Sequence, residues 1–218
     1  MRKLIVGTFL TVDGVMQGPG GPDEDRDGGF EHGGWSVNYW DESMGELMTG
    51  WVDDAGALLL GRKTYEIFAA HWPKVTGEDP TAAKLNSVPK YVASRMLHEV
   101  TWSNSTLIKG DVAEAVARLK EEPGGEIQVH GSGDLAQTLI EHDLVDEYRL
   151  WIFPVVLGAG KRLFAGGTVP RAMKLIDTKV SSTGVISQVY ERGGQIEYGT
   201  FEVDEAGATE KLWTERKA

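Results

Sequence analysis

Two short segments combine glycine with groups suited to holding phosphate. In Gly61-Arg62-Lys63-Thr64, glycine lets the backbone approach an anion, and the helix that follows presents free N–H groups and its dipole. Thr64 adds a hydroxyl donor, while Arg62 and Lys63 add charge. The same four residues also fit a plain strand-to-helix turn with two solvated cations. The second segment, Gly131-Ser132-Gly133-Asp134-Leu135-Ala136, matches the degenerate G-x-G-x-x-A pattern between a strand and a helix. The next strand ends Phe153-Pro154-Val155-Val156 without an acid, so this is a phosphate-cradling turn and not a Rossmann fingerprint. Asp134 serves either the ligand or the helix cap. A third piece, Ser94-Arg95, sits at a strand end, where it can hold a phosphate and stack on an adenine.

Candidate reactive groups lie elsewhere. Asp13 closes the first strand, where it binds a substrate hydroxyl, organises the loop or simply forms a turn before Gly14. Trp35, Tyr39 and Trp40 either wall an aromatic substrate or belong to the core. Asp23-Glu24-Asp25-Arg26-Asp27-Gly28 imitates the opening of a calcium loop, but Gly34 stands where the closing Glu is required. His32, His71, His98, His130 and His142 show no metal-ligand spacing, so no metal site is expected. His130 reads as a strand terminus or as a group orienting a neighbour.

Composition narrows the class. The chain has 218 residues and no cysteine, which removes disulfides, thiolate metal sites and redox thiols together. A formal net charge of -11 disfavours nucleic acid and anionic membranes as partners. No apolar run is long enough to span a membrane. Met1-Arg2-Lys3 before Leu4 to Leu10 imitates a signal peptide but runs into Val12-Asp13-Gly14 without a cleavage site, so a strand and a cytoplasmic protein are expected.

Elements that position these residues follow from periodicity. Strands are expected at Leu4 to Val12, Ala57 to Leu60, Lys90 to Ser94, Thr106 to Ile108, Glu126 to His130 and Tyr148 to Val156. Helices are expected at Val37 to Val52, Arg62 to Ala69, Asp111 (as cap) to Glu121, and Asp134 to Glu141. Three later segments, Met173–Val180, Val185–Tyr190 and Gln195–Val203, read as antiparallel strands. Residues 13–34 form a long Gly-, Pro- and Asp-rich loop, read in place of a calcium loop as a mobile lid with Gly28-Gly29 and Gly33-Gly34 as hinges. The order predicts an α/β fold: a mostly parallel mixed sheet, helices on both faces, and an antiparallel C-terminal edge. Ligands then bind at the carboxyl ends of the strands, where Asp13, Gly61, Ser94 and Gly131 lie.

Taken together, Thr11-Val12-Asp13-Gly14, Leu60-Gly61-Arg62-Lys63-Thr64-Tyr65, Val92-Ala93-Ser94-Arg95, His130-Gly131-Ser132-Gly133, Leu144-Val145-Asp146-Glu147 and the block Pro154 to Phe164 resemble a known family. The chain resembles the dihydrofolate reductase superfamily over residues 2 to about 203. The late block is similar to its branch related to the C-terminal reductase domain of the bifunctional riboflavin-biosynthesis enzyme.

The resemblance implies a three-layer dihydrofolate reductase-like domain over 1–203, with 204–218 as a tail. It implies NADPH, held by Arg62, Lys63, Thr64, Ser94 and Arg95 around the adenosine phosphates and by Gly131, Ser132, Gly133, Asp134 and Leu135 along the pyrophosphate, with Gly61 opening the first turn. It implies hydride transfer to a heterocyclic or ribosylaminopyrimidine-type small molecule, with Asp13 and an acid of the first helix (Asp41, or alternatively Glu42 or Glu46) as catalytic candidates. A homodimer built on Leu150 to Val156 is also implied. A pteridine-reducing dihydrofolate reductase and a non-catalytic nucleotide-binding module are the alternatives.

Overall fold

The computed structural model describes residues 1–164, 166 and 168–200. In chain order the elements are β1 (Leu4–Thr11), α1 (Glu42–Asp53), β2 (Ala55–Gly61), α2 (Arg62–His71), α3 (Pro80–Ser87), β3 (Lys90–Ala93), β4 (Ser105–Ile108), α4 (Val112–Glu121), β5 (Glu126–His130), α5 (Gly133–Glu141), β6 (Glu147–Phe153), β7 (Met173–Val180) and β8 (Ile186–Arg192). They build one sheet in the order β4-β3-β2-β5-β1-β6-β8-β7. Every neighbouring pair from β4 to β6 is parallel, and β8 pairs antiparallel with both β6 and β7. The mixed sheet with its antiparallel edge is the predicted one.

Alternation within the strands assigns the two faces. Leu4, Val6, Leu59, Ile127, Val129 and Leu150 bury one face against α4 and α5, through side chains such as Val116, Leu119, Ala136 and Leu139. Leu58 and Leu60 of β2 turn to the other face, where Val52, Tyr65 and Leu85 bring in α1, α2 and α3. Helices therefore cover both faces.

Three expectations need correcting. The helix expected over Val37–Val52 is two pieces: a 3-10 turn at Val37–Tyr39, then α1 from Glu42. Asp41 breaks it, with extended backbone and a side chain that accepts the Met44 N–H at 2.9 Å. The polar connection before β3 holds α3, which starts with Asp79 accepting the Ala82 N–H and Pro80 at the first helical position. That Asp-Pro pair was a readable start signal. Residues 195–200 carry no strand. The end of that expected strand, 201–203, and the tail 204–218 lie outside the described residues.

Candidate active site

The sheet ends its parallel strands along one edge, and the two glycine turns meet there. Gly131 has φ 55° and Ser132 is left-handed, so the chain turns sharply from β5 into α5. Ser132 is the N-cap residue and Asp134 only the second residue of α5. Across the edge, the Gly61 N–H donates to Ser132 Oγ at 3.0 Å, and the Ser132 N–H donates to Thr64 Oγ1 at 3.1 Å. Ser132 Oγ donates in turn to the His130 carbonyl at 2.9 Å. The two turns therefore form one cross-tied unit.

One cleft of about 2110 Å³ runs along this edge. It is lined by Gly61, Arg62, Lys63, Thr64, Ser94, Arg95, Gly131, Ser132, Gly133, Asp134 and Leu135, so every residue expected to hold the cofactor faces the same space. A Cβ on Gly61 or Gly131 would make ordinary contact with Ser132 at 3.5 Å or Thr64 Oγ1 at 3.4 Å, so space alone does not demand glycine; at Gly131 the left-handed φ of 55° does.

The cations differ in their commitments. Arg62 pairs with Glu66 one turn along α2 at 2.9 Å. Lys63 reaches Asp25 at 3.4 Å and also bonds Asp27, while Lys161 holds the same two carboxylates at 2.5 and 3.0 Å. Its bonds to Lys63 and then Lys161 take the Asp27 carboxyl down to about 2. The 13–34 loop is thus strapped to the cleft mouth. Gly33 serves close packing and not a hinge, since a Cβ there would come within 2.4 Å of the Gly21 carbonyl. Ser94 Oγ accepts the Met96 and Leu97 N–H groups, leaving its proton for a ligand. Among the described residues Arg95 makes no ion pair. Neither does Lys109, a cleft-lining lysine directly after β4 that sequence reading passed over, although it follows a strand end as Arg95 does.

The two acids expected to be catalytic are placed otherwise. Asp13 lies outside the cleft lining; its carboxylate accepts the Thr11 hydroxyl at 2.6 Å and the Gly158 and Leu157 N–H groups at 2.8 and 3.2 Å. These bonds, the Thr11 hydroxyl first, lower its carboxyl to about 2, so it stays ionised and anchors the 157–158 turn. Asp41 also lies outside the cleft. The Ser182 hydroxyl first, then the Met44 N–H and the Ser43 hydroxyl, hold its carboxyl far below the usual range. It is a helix cap tied to the β7–β8 turn, because all its lone pairs are spent locally. Of the aromatic candidates, Trp35 and Tyr39 pack edge-on against Phe153 away from the cleft. Trp40 does line it, within 5.9 Å of Phe9 and 6.1 Å of Trp151, measured between ring centroids.

Phe9 and Trp151 were missed, as was a polar row beside them. Glu126, Gln128 and His130 alternate along β5, and Glu147 and Arg149 along β6; Gln128 and Arg149 reach the Trp51 carbonyl of α1, and His130 meets Phe68 of α2. Arg149 is buried and bonds both Glu126 and Glu147 at 2.8 Å. Polar residues at period two in otherwise apolar strands were the available signal.

The model of the RibD C-terminal domain family matches residues 2–187. The chain belongs to the RibD C-terminal domain family. Its relatives include the uncharacterized protein YyaP of Bacillus subtilis, 33% identical over 88% of this chain and 96% of that one. Among solved structures, a protein of Shewanella sp. PV-4 superposes with TM-score 0.66 at 21% identity, covering 88% of this chain and 99% of that one. The Thermotoga maritima diaminohydroxyphosphoribosylaminopyrimidine deaminase/5-amino-6-(5-phosphoribosylamino)uracil reductase superposes with TM-score 0.57 at 12% identity. This chain spans 56% of that bifunctional protein, and the match covers 88% of this chain. At these identities the structures speak for the fold, which is that of the riboflavin-type reductases. Among the described residues no helix is long and apolar enough to cross a membrane.

Proposed function

We propose that the chain is a cytoplasmic NADPH-dependent reductase acting on a heterocyclic, ribosylaminopyrimidine-type small molecule. One observation carries the reading: the cross-tied turns, the cations and the aromatic Phe9, Trp40 and Trp151 all line a single cleft. NADPH fits the residues present. The Gly61 and Gly131–Gly133 turns would hold its pyrophosphate; Arg62, Lys63, Thr64, Ser94, Arg95 and Lys109 would surround its adenosine phosphates. When bound, it supplies the hydride. The chain itself orients both reactants at the strand ends, and the loop strapped over the mouth excludes water.

The activity named for the Thermotoga protein, reduction of a phosphoribosylamino uracil, is the model for the substrate class. Asp13 and Asp41 are not proposed as proton donors. The test is NADPH oxidation, followed by absorbance, with the riboflavin ribosylaminopyrimidine, dihydrofolate and small carbonyls. Turnover of the ribosylaminopyrimidine supports the reading; turnover of dihydrofolate alone favours the pteridine alternative, and no NADPH binding favours a non-catalytic module.

The same proposal includes a homodimer, on a different surface from the one expected. Leu150, Trp151 and Phe153 are already buried within the chain. The edge strand β7 instead leaves Met173, Leu175, Ile176 and Val180 exposed, a row of apolar side chains on an unpaired edge. A monomer in sedimentation equilibrium would contradict this part.

A further inference from the structure

Hydrogen bonding fixes which nitrogen of His130 carries the proton. The Gln128 side-chain nitrogen bonds the Trp51 carbonyl at 2.5 Å and Glu126 Oε2 at 2.9 Å. Both partners are acceptors only, so this atom is the amide NH2 and the amide oxygen faces the other way. That oxygen lies 3.3 Å from His130 Nε2 and accepts its proton. The other Glu126 oxygen accepts from Arg149 Nη2 at 2.8 Å, so Glu126 acts as an acceptor on both sides. His130 Nδ1 therefore carries the lone pair.

Among the described residues Nδ1 has no hydrogen-bond partner, and it is not among the fully buried unpartnered atoms. Gly7 of β1 stands between His130 of β5 and Arg149 of β6 in register. Nδ1 lies 4.0 Å from where a side chain on Gly7 would begin, and Gly7 and His130 both line the cleft. Phe9, Trp40, Trp151 and Met48 wall the same part of it. The groups packed on His130 are Phe68 from α2, at 6.0 Å between rings, Gln128 from its own strand and Arg149 from β6. Burial and then the Arg149 charge push the imidazole down to about 4, so it is neutral near pH 7. Because Gly131 follows at once, a ring seated here adjoins the cofactor turn.

We propose that His130 Nδ1 accepts a hydrogen bond from a ring N–H of a planar heterocycle seated over Gly7, and so selects and positions the substrate. The inference rests on the proposed function and gives its substrate a required donor. An aromatic wall takes the ring faces, and a single acceptor sets the ring's rotation.

Nitrogen-15 NMR of histidine-labelled protein tests it, with His130→Asn providing the assignment and NADPH fluorescence titration run on the same samples. The expected spectrum shows Nε2 protonated and Nδ1 bare from about pH 5 to about pH 8. Uracil shifts Nδ1, and di-N-methyluracil, the same ring without donors, binds at least about tenfold more weakly. His130→Asn, with an acceptor oxygen near the Nδ1 position, keeps the preference, and His130→Leu loses it. A proton on Nδ1, equal affinity for the two rings, or binding of neither overturns the proposal. Failure of NADPH to bind overturns the cofactor reading instead, whatever the imidazole shows.

Discussion

Ser132 locks Gly61 to Thr64: its Oγ accepts the Gly61 N–H at 3.0 Å while its own N–H donates to Thr64 Oγ1 at 3.1 Å. One short side chain thereby joins two turns that are 71 residues apart in sequence. Ser132→Ala removes the first bond and leaves the Gly61 N–H without its partner. The expected result is NADPH binding weakened about 3- to 10-fold, the worth of one hydrogen bond of about 1 kcal/mol. Isothermal titration measures it; unchanged affinity would show that the turns are positioned independently.

If the cleft holds NADPH as proposed, Arg95 is better placed than Arg62 to read its 2′-phosphate, because Arg62 is committed to Glu66 and Arg95 makes no ion pair among the described residues. Arg95→Ala is expected to weaken NADPH by about tenfold or more while leaving NADH nearly unchanged. Paired titrations with both dinucleotides decide the matter, and equal losses would contradict it. Arg62→Ala, run alongside, should show the smaller discrimination.

Asp41 and Asp13 are expected to matter for stability and not for turnover. Asp41→Asn should lower the melting temperature while kcat and KM stay within about twofold. A large fall in kcat alone would restore it as a reacting group. The pH dependence has a definite sign. Asp13 sits at about 2 in the fold against 3.8 as a free side chain, so its contribution is complete above pH 3.8 and lost as pH falls toward 2. Asp13→Asn should flatten that part of the acid-unfolding curve measured by circular dichroism.

Much of the architecture was legible because apolar alternation and strand-end glycines are local signals. β5 and β7 fall where periodicity puts them, as does the Asp111 cap of α4, whose side chain accepts the Glu114 N–H. The meeting of the glycine and cation motifs in one cleft was legible for the same reason: each of them immediately follows a strand. The aromatic end of the cleft was not. Phe9, Trp151 and His130 lie on different strands, and only the parallel order β5-β1-β6 brings them together. Asp41 was misjudged because a carboxylate at a helix start looks alike whether it caps the helix or reacts; its bonds to Ser182, 141 residues away, cannot be read from spacing.

Arg149 holds the polar row beneath the cleft. Its guanidinium is buried between Glu126 and Glu147 and lies 5.5 Å from the centre of the Trp51 ring. Arg149→Met leaves Glu126 without an ion-pair partner among the described residues and Glu147 with Lys3 alone, which costs about 3–5 kcal/mol. Urea unfolding should show a lower midpoint with an unchanged slope. A midpoint equal to that of the parent would mean that the row is well solvated.

The most direct test of the central claim is a fluorescence titration of the purified protein with NADPH and, separately, NADH. Saturable NADPH binding at one site per chain, at least about tenfold tighter than NADH, is the expected result. Absence of NADPH binding, or equal affinity for the two dinucleotides, would contradict it.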